Sequence, residues 1–259
     1  MERCLEGGWY HHAFSLSRLC RKEISGKDGK VNAPFFKFPS TPHLIVSGKI
    51  DVRNDKILSD IDRVTLLQNE LVIEEKIDGA NLGISFDANG NIMLQNRGSL
   101  VIPPYIGQWK KFPEWLSPRL DNLFDVLTDR YILFGEWCYA KHSIEYTKLP
   151  DWFVGFDIFD KQTGRFFSCQ GRDMMFQELS IAKVPQIAKG VHTLQELMGL
   201  MSISRFGDSL AEGVYMRHDK DKWLVQRVKL VNPVFSQIMG EHHWFRNDIQ
   251  PNRRILGYL

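Results

Sequence analysis

The sequence predicts an α+β domain of antiparallel strands with helices between and around them. Three observations lead there. Residues 82–86 and 91–95 flank Asp87-Ala88-Asn89-Gly90, whose turn residues mark a hairpin. Residues 213–217 and 223–228 repeat that arrangement around the polar stretch 218–222. Between the two hairpins, Leu116, Leu120, Leu123, Phe124 and Leu127 recur at helical spacing.

Taken in order, residues 1–33 are polar and irregular, with Gly7-Gly8 and Ser25-Gly26-Lys27-Asp28-Gly29-Lys30, and are expected to form a loosely ordered leader. Residues 35–46 are expected to run extended, because Pro39 and Pro42 bias the residues before them towards β geometry. Residues 71–76, 131–138 and 152–159 read as strands, and the turn Lys161-Gln162-Thr163-Gly164 leads into another at 165–168. Helices are expected over 116–130, 172–182, 193–202 and 233–244. Thr193 would be an N-cap, and Pro233 would take the first helical position after Asn232. The expected organisation is one domain over 34–259 without a separate C-terminal domain.

Composition narrows the class. The 259 residues are 43% hydrophobic and 25% charged, as in an ordinary globular protein. No apolar run approaches the ~20 residues of a membrane span, so no membrane association is expected. Glu2, Glu6, His11, His12 and Arg18 break up any secretory signal. Cys4, Cys20, Cys138 and Cys169 are scattered without a CxxC pair, which argues against structural zinc and for free thiols. An intracellular, cytoplasmic setting follows, with an organelle left open. A net charge of +2 permits a local basic face without requiring one.

The chemistry centres on Glu74-Glu75-Lys76-Ile77-Asp78-Gly79-Ala80-Asn81. A strand delivers one lysine into a tight polar turn. A lysine nucleophile must first lose its proton, through burial or neighbouring cations. Arg97, Arg227 and Lys229 lie on or beside other strands, and Arg227 and Lys229 share a strand face. That face would cradle an anion and disfavour the charged form of Lys76; the alternative is that these are solvated strand residues. Glu136 lies within the apolar Leu133-Phe134-Gly135-Glu136-Trp137, and Glu212 precedes Gly213-Val214-Tyr215. Acids in apolar strands need a cation, a hydroxyl or a metal as partner. An aromatic of Phe153, Phe156 and Phe159 would be available to stack on a purine.

In this order the segments resemble the covalent nucleotidyltransferase superfamily of polynucleotide ligases and capping enzymes. Lys76-Ile77-Asp78-Gly79-Ala80-Asn81 is similar to its KxDGxx motif. The later motifs resemble Phe134-Gly135-Glu136, Val154-Gly155-Phe156-Asp157-Ile158, Glu212-Gly213-Val214 and Arg227-Val228-Lys229. Asn81, where DNA ligases and capping enzymes usually have arginine, is similar to ATP-dependent RNA ligases. The Phe38-Pro39-Ser40-Thr41-Pro42-His43-Leu44 approach is similar to small RNA ligases too. The fold implied is a nucleotidyltransferase domain, the ligase adenylation domain.

The resemblance implies an ATP-dependent RNA ligase with ATP and Mg²⁺ or Mn²⁺ as cofactors and RNA 5′-phosphate and 3′-hydroxyl ends as partners. Lys76 would be the nucleophile that carries AMP. The backbone around Glu75 and Ile77 would read the adenine edge, and Phe156 would stack on the ring. Glu136 would hold the ribose, and Asn81 and Arg97 would act near the phosphates and RNA end. Glu212 would help hold the metal, and Lys229 with Arg227 would grip the α-phosphate. The family usually has lysine where Arg227 stands, and arginine's planar fork differs from a point ammonium. Without a C-terminal domain, RNA grip would come from this domain, from residues 1–45 or from a protein partner. A DNA ligase, a capping-type guanylyltransferase and a non-catalytic RNA-binding relative are the rival readings.

Overall fold

A computed structural model describes residues 35–46, 57–238 and 249–255. The expected leader at 1–33, and the part of the last expected helix beyond residue 238, lie outside the described residues.

Runs of mostly buried residues in the central strands build two antiparallel sheets. One has the order β7-β1-β8-β9, from β1 (Leu71–Glu75), β7 (Gln186–Gly190), β8 (Gly213–Lys220) and β9 (Trp223–Val231). The other has the order β3-β2-β4-β5-β6, from β2 (Ala80–Phe86), β3 (Ile92–Gln95), β4 (Tyr131–Trp137), β5 (Phe153–Asp160) and β6 (Arg165–Phe166). Six helices among the described residues surround them: α1 (Asp60–Leu67), α2 (Phe112–Leu116), α3 (Leu120–Leu127), α4 (Cys169–Glu178), α5 (Leu194–Gly199) and α6 (Pro233–Ile238). The α+β expectation therefore holds, and both predicted hairpins form.

The expected helix over 116–130 is broken. Pro118 lacks the N–H of a continuous helix, and a 3-10 turn at Ser117–Arg119 separates α2 from α3. α3 then stops at Leu127 because Thr128 turns to a φ of 49°. The helix expected at 172–182 begins earlier: the Ser168 hydroxyl accepts from the Gly171 amide at 3.5 Å and caps α4. Thr193 caps α5 in a reciprocal capping box with Glu196. α1 and β7 were not among the elements expected from the sequence. Leu66 is the one buried residue of α1, and β7 has no fully buried position.

Each sheet has its own apolar core. Leu71 and Ile73 of β1 pack with Val214, Met216, Val228 and Leu230. Leu82, Ile84, Leu133, Trp137, Phe153 and Ile158 pack with the helices α2, α3 and α4. Polar links join the sheets. Arg172 of α4 donates to Glu74 of β1 at 2.6 and 3.1 Å and to the Phe156 carbonyl of β5 at 2.8 Å. Arg217 and Arg227, on β8 and β9, both pair with Asp157 of β5. The candidate site lies along this junction.

Candidate active site

Lys76 leaves the end of β1 with its amide donating to the Gly213 carbonyl at 3.0 Å, which seats the turn beside the start of β8. A Cβ on Gly213 would fall 2.1 Å from the Leu230 carbonyl oxygen, so only glycine permits this β8–β9 approach. Glu212, the residue before it, is thereby brought to the lysine: Lys76 Nζ donates to Glu212 Oε2, and both side chains are mostly covered, at 14% and 13% exposure. The ammonium also lies 5.8 Å from the centre of the Tyr215 ring.

This geometry reverses one electrostatic expectation. Burial pushes the Lys76 pKa down, but Glu212, Tyr215 and Glu136 outweigh it and hold the pKa above the ordinary lysine value. Arg227 is not among the groups that dominate this balance. It is tied to Asp157, with Phe38 and Phe166 rings 4.4 and 4.3 Å from its guanidinium carbon.

The turn after Lys76 is stapled to the loop that follows β4. The Ser143 and Ile144 amides donate to Asp78 Oδ2 at 2.7 and 3.1 Å, and the Asp78 amide donates to the Tyr146 hydroxyl at 2.8 Å. Gly79 lets the turn lie against β4, since a Cβ there would sit 3.0–3.1 Å from Cys138, Glu136 and Trp137.

Asn81 on β2 is in register with Glu136 on β4. Asn81 Oδ1 and Glu136 Oε2 are buried acceptors without a hydrogen bond among the described residues. Such atoms want donors, as a nucleotide's hydroxyls or a metal's water would supply. Burial pushes the Glu136 pKa well above the usual carboxylate range; Lys76 opposes this, while Glu212 and Asp78 add to it. A carboxyl with a raised native pKa binds more protons folded than unfolded. Its stabilising contribution is therefore present below about pH 4 and lost as pH rises through the native pKa. Glu136→Gln is expected to raise Tm by about 2–4 °C at pH 8, for ~1 kcal/mol, with the gain shrinking towards pH 4. Calorimetry across that range checks it, and an unchanged or lower Tm at pH 8 would contradict it.

The other expected site residues fall as follows. Phe156 of β5 is half-buried, meets Phe38 edge-on at 5.4 Å, and lines one cavity with Ile77, Glu75, Glu136 and Arg227. Glu75 is occupied within the protein: its carboxylate accepts from the Ser204 hydroxyl at 2.5 Å and the Arg205 amide at 2.9 Å, and its own amide donates to the Pro185 carbonyl at 2.9 Å. Lys229 is opposite Tyr215 in the β8–β9 ladder. Burial raises the Glu212 pKa against the pull of Lys76 and, more weakly, of Lys229. Arg97 is exposed at the tip of a turn whose shape Asn96 sets by accepting from the Gly98 and Ser99 amides at 2.8 Å. It is close enough to pull the Glu136 pKa downward.

Sequence reasoning missed Tyr215, Thr41, Phe38 and Asp157 as cavity-lining residues. Asp157 is inside a motif and Tyr215 directly follows one, so both were legible by adjacency. Phe38 and Thr41 lie in the family-like approach segment, but their place at the cavity was not legible, because a long-range ladder to β9 sets it: Leu44 donates to the Lys229 carbonyl at 2.8 Å, and Lys229 to the Pro42 carbonyl at 3.0 Å.

No group of three or more His, Cys, Asp or Glu among the described residues is arranged to hold a metal alone. The Glu212 charge is nonetheless close enough to push the Glu136 pKa further up. One or two carboxylates completed by phosphate oxygens and water is the ordinary mode for Mg²⁺. The donor set fits a metal brought with a nucleotide.

Comparison with known proteins places these features in context. A family model described as RNA ligase matches residues 69–231. No curated protein matches the chain. Among solved structures, a Naegleria gruberi RNA ligase R4a mutant in its apo form is 14% identical with a TM-score of 0.55, covering 78% of this chain and 60% of that one. A mutant of the Naegleria gruberi RNA ligase with ATP and Mn gives 15% and 0.56, covering 79% and 64%. The same ligase with PPi gives 15% and 0.54, covering 80% and 65%. At these identities the likeness is one of fold, and the chain spans about 60–65% of the length of the ligases it matches. Among the described residues no helix is long and apolar enough to cross a membrane.

Proposed function

The chain belongs to the RNA ligase family, and from that premise we propose that it is an ATP-dependent ligase joining RNA 5′-phosphate and 3′-hydroxyl ends through a lysyl-AMP intermediate. The observation that carries this reading is Lys76 held by Glu212 beside the unpaired acceptors of Glu136 and Asn81.

Lys76, once it has lost a proton, attacks the α-phosphorus of ATP; a P–N bond forms, the bond to the β-phosphate oxygen breaks, and pyrophosphate leaves. An oxygen of the RNA 5′-phosphate then attacks the same phosphorus and returns Lys76 to its amine. Finally the RNA 3′-hydroxyl attacks the 5′-phosphorus and releases AMP. In this reading the Glu136 carboxylate accepts from ribose hydroxyls and Phe156 covers a face of adenine; the unbonded Glu136 Oε2 and the cavity the two residues share support it. Lys229 supplies positive charge near Glu212, where charge develops in phosphoryl transfer. A divalent metal, when bound, would neutralise phosphate charge, with Glu212 as its protein ligand.

Arg227 would act indirectly, because Asp157 already holds it. Asn81 and exposed Arg97 are proposed to meet the phosphates and the RNA end. The free, buried thiols of Cys138 and Cys169 agree with an intracellular setting.

Incubation with α-labelled ATP and Mg²⁺ or Mn²⁺ is expected to leave label on the protein, and chase with 5′-phosphorylated RNA to remove it. Labelling by GTP in preference to ATP would favour a guanylyltransferase. RNA binding without covalent label would favour a non-catalytic relative, and a preference for DNA ends in a nicked duplex would favour a DNA ligase.

A further inference from the structure

We infer that Asn252, near the end of the chain and outside every motif of the site, is a positioning residue for Lys76. The inference rests on the ligase reading above. Residues 249–255 run back across the loop that follows β4. Lys141 donates to the Gln250 carbonyl at 2.8 Å, and Arg253 to the Tyr146 carbonyl at 2.9 Å. Leu149 donates to the Arg253 carbonyl at 3.0 Å, and Ile255 to the Leu149 carbonyl at 2.9 Å. Arg254 lies 3.8 Å over the Trp152 ring and pairs with Asp151 at 3.2 Å.

Asn252 is the centre of this strap. It is 5% exposed. Its side chain donates to the Cys138 and Ala140 carbonyls at 2.8 and 3.2 Å and accepts from the Tyr146 amide at 2.9 Å. Its amide donates to the Tyr139 carbonyl at 2.9 Å. One side chain thus closes the loop onto itself, from residue 138 to residue 146.

That loop holds the nucleophile's turn. The Tyr146 hydroxyl oxygen accepts from the Asp78 amide, and the Ser143 and Ile144 amides donate to the Asp78 carboxylate. Ile77 packs with Cys138, Ile144, Tyr146 and Leu149. The chain of contacts therefore runs from Asn252 through Tyr146 to Asp78, two residues from Lys76. Asparagine suits the task because its amide both donates twice and accepts, whereas aspartate could only accept.

The three chemical steps separate this role from a merely structural one. Lys76 is the nucleophile in the first step, but it takes no covalent part in sealing an RNA that already carries 5′-AMP. Asn252→Ala is expected to slow single-turnover labelling at saturating ATP by about 10²-fold, the effect of a small misplacement of a reacting group. Sealing of pre-adenylated RNA should stay within about threefold of wild type, and the ATP concentration for half-maximal labelling should change little. Tyr146→Phe, which removes only the hydroxyl that Asp78 uses and keeps the buried ring, should give the same step-selective loss in a folded protein whose Tm falls by only a few degrees. It supplies the test if Asn252→Ala does not fold.

Labelled wild type with both variants labelling at the wild-type rate would overturn this inference alone. An equal loss of labelling and of pre-adenylated sealing would also overturn it, since that is general damage. Wild type that takes no label would overturn the ligase reading and this inference with it.

Discussion

Lys76→Ala is expected to abolish covalent labelling by α-labelled ATP, a loss on the order of 10⁴-fold or more, as for removal of other covalent nucleophiles. Its ammonium donates to Glu212, lies 5.8 Å from the centre of the Tyr215 ring and feels the Glu136 charge. A second lysine, Lys229, is on β9 opposite Tyr215. The alanine variant also strands the covered Glu212 carboxylate, and breaking a buried pair costs up to about 3–5 kcal/mol. Lys76→Arg separates chemistry from stability, because it keeps a cation beside Glu212 but has no amine to form the P–N bond. It should fold like wild type and take no label. Label persisting in either variant, mapped by peptide mass to another lysine, would remove Lys76 from the mechanism. Sealing of pre-adenylated RNA should survive in Lys76→Arg better than labelling does.

The second large effect is on pH. Glu212, Tyr215 and Glu136 overcome the effect of burial and hold Lys76 as an ammonium, with its pKa above the ordinary value. A raised pKa means a smaller neutral fraction at any pH below it, so the first step should accelerate as pH rises. The expected slope is about tenfold per pH unit between about pH 6 and pH 9. Single-turnover labelling at saturating ATP and metal measures it. A flat profile across that range would show that loss of the Lys76 proton does not control the step. Because sealing of pre-adenylated RNA does not use the lysine as nucleophile, its profile should lack this slope. The two profiles together assign the pH dependence to one residue.

Some of the site was legible because its residues are neighbours in sequence. Lys76, Asp78 and Gly79 share one turn. Glu212 is next to Gly213, and only glycine fits where β8 approaches β9 so closely. The acids stood out as charges in apolar strands, and both hairpins were marked by their turn residues. Helix ends were less legible, since single residues decide them: Pro118 broke one helix and Ser168 started another early.

Charge balance at the site was not legible at all. The sequence lists Arg227, Lys229, Glu136, Glu212 and Asp157 without saying which charges meet. The pattern suggested cations around Lys76. The fold instead placed Glu212 on the lysine and spent Arg227 on Asp157.

The sequence by itself determined the fold class, the order of the motifs and the identity of the candidate nucleophile, because these rest on local pattern and on residue type. Only the tertiary structure decided which charges meet that lysine, the packing of Phe38 and Thr41 against the cavity, and the strap through Asn252. Each of these depends on atoms brought together from distant parts of the chain, where burial strengthens whichever charges and hydrogen-bonding groups the fold makes neighbours.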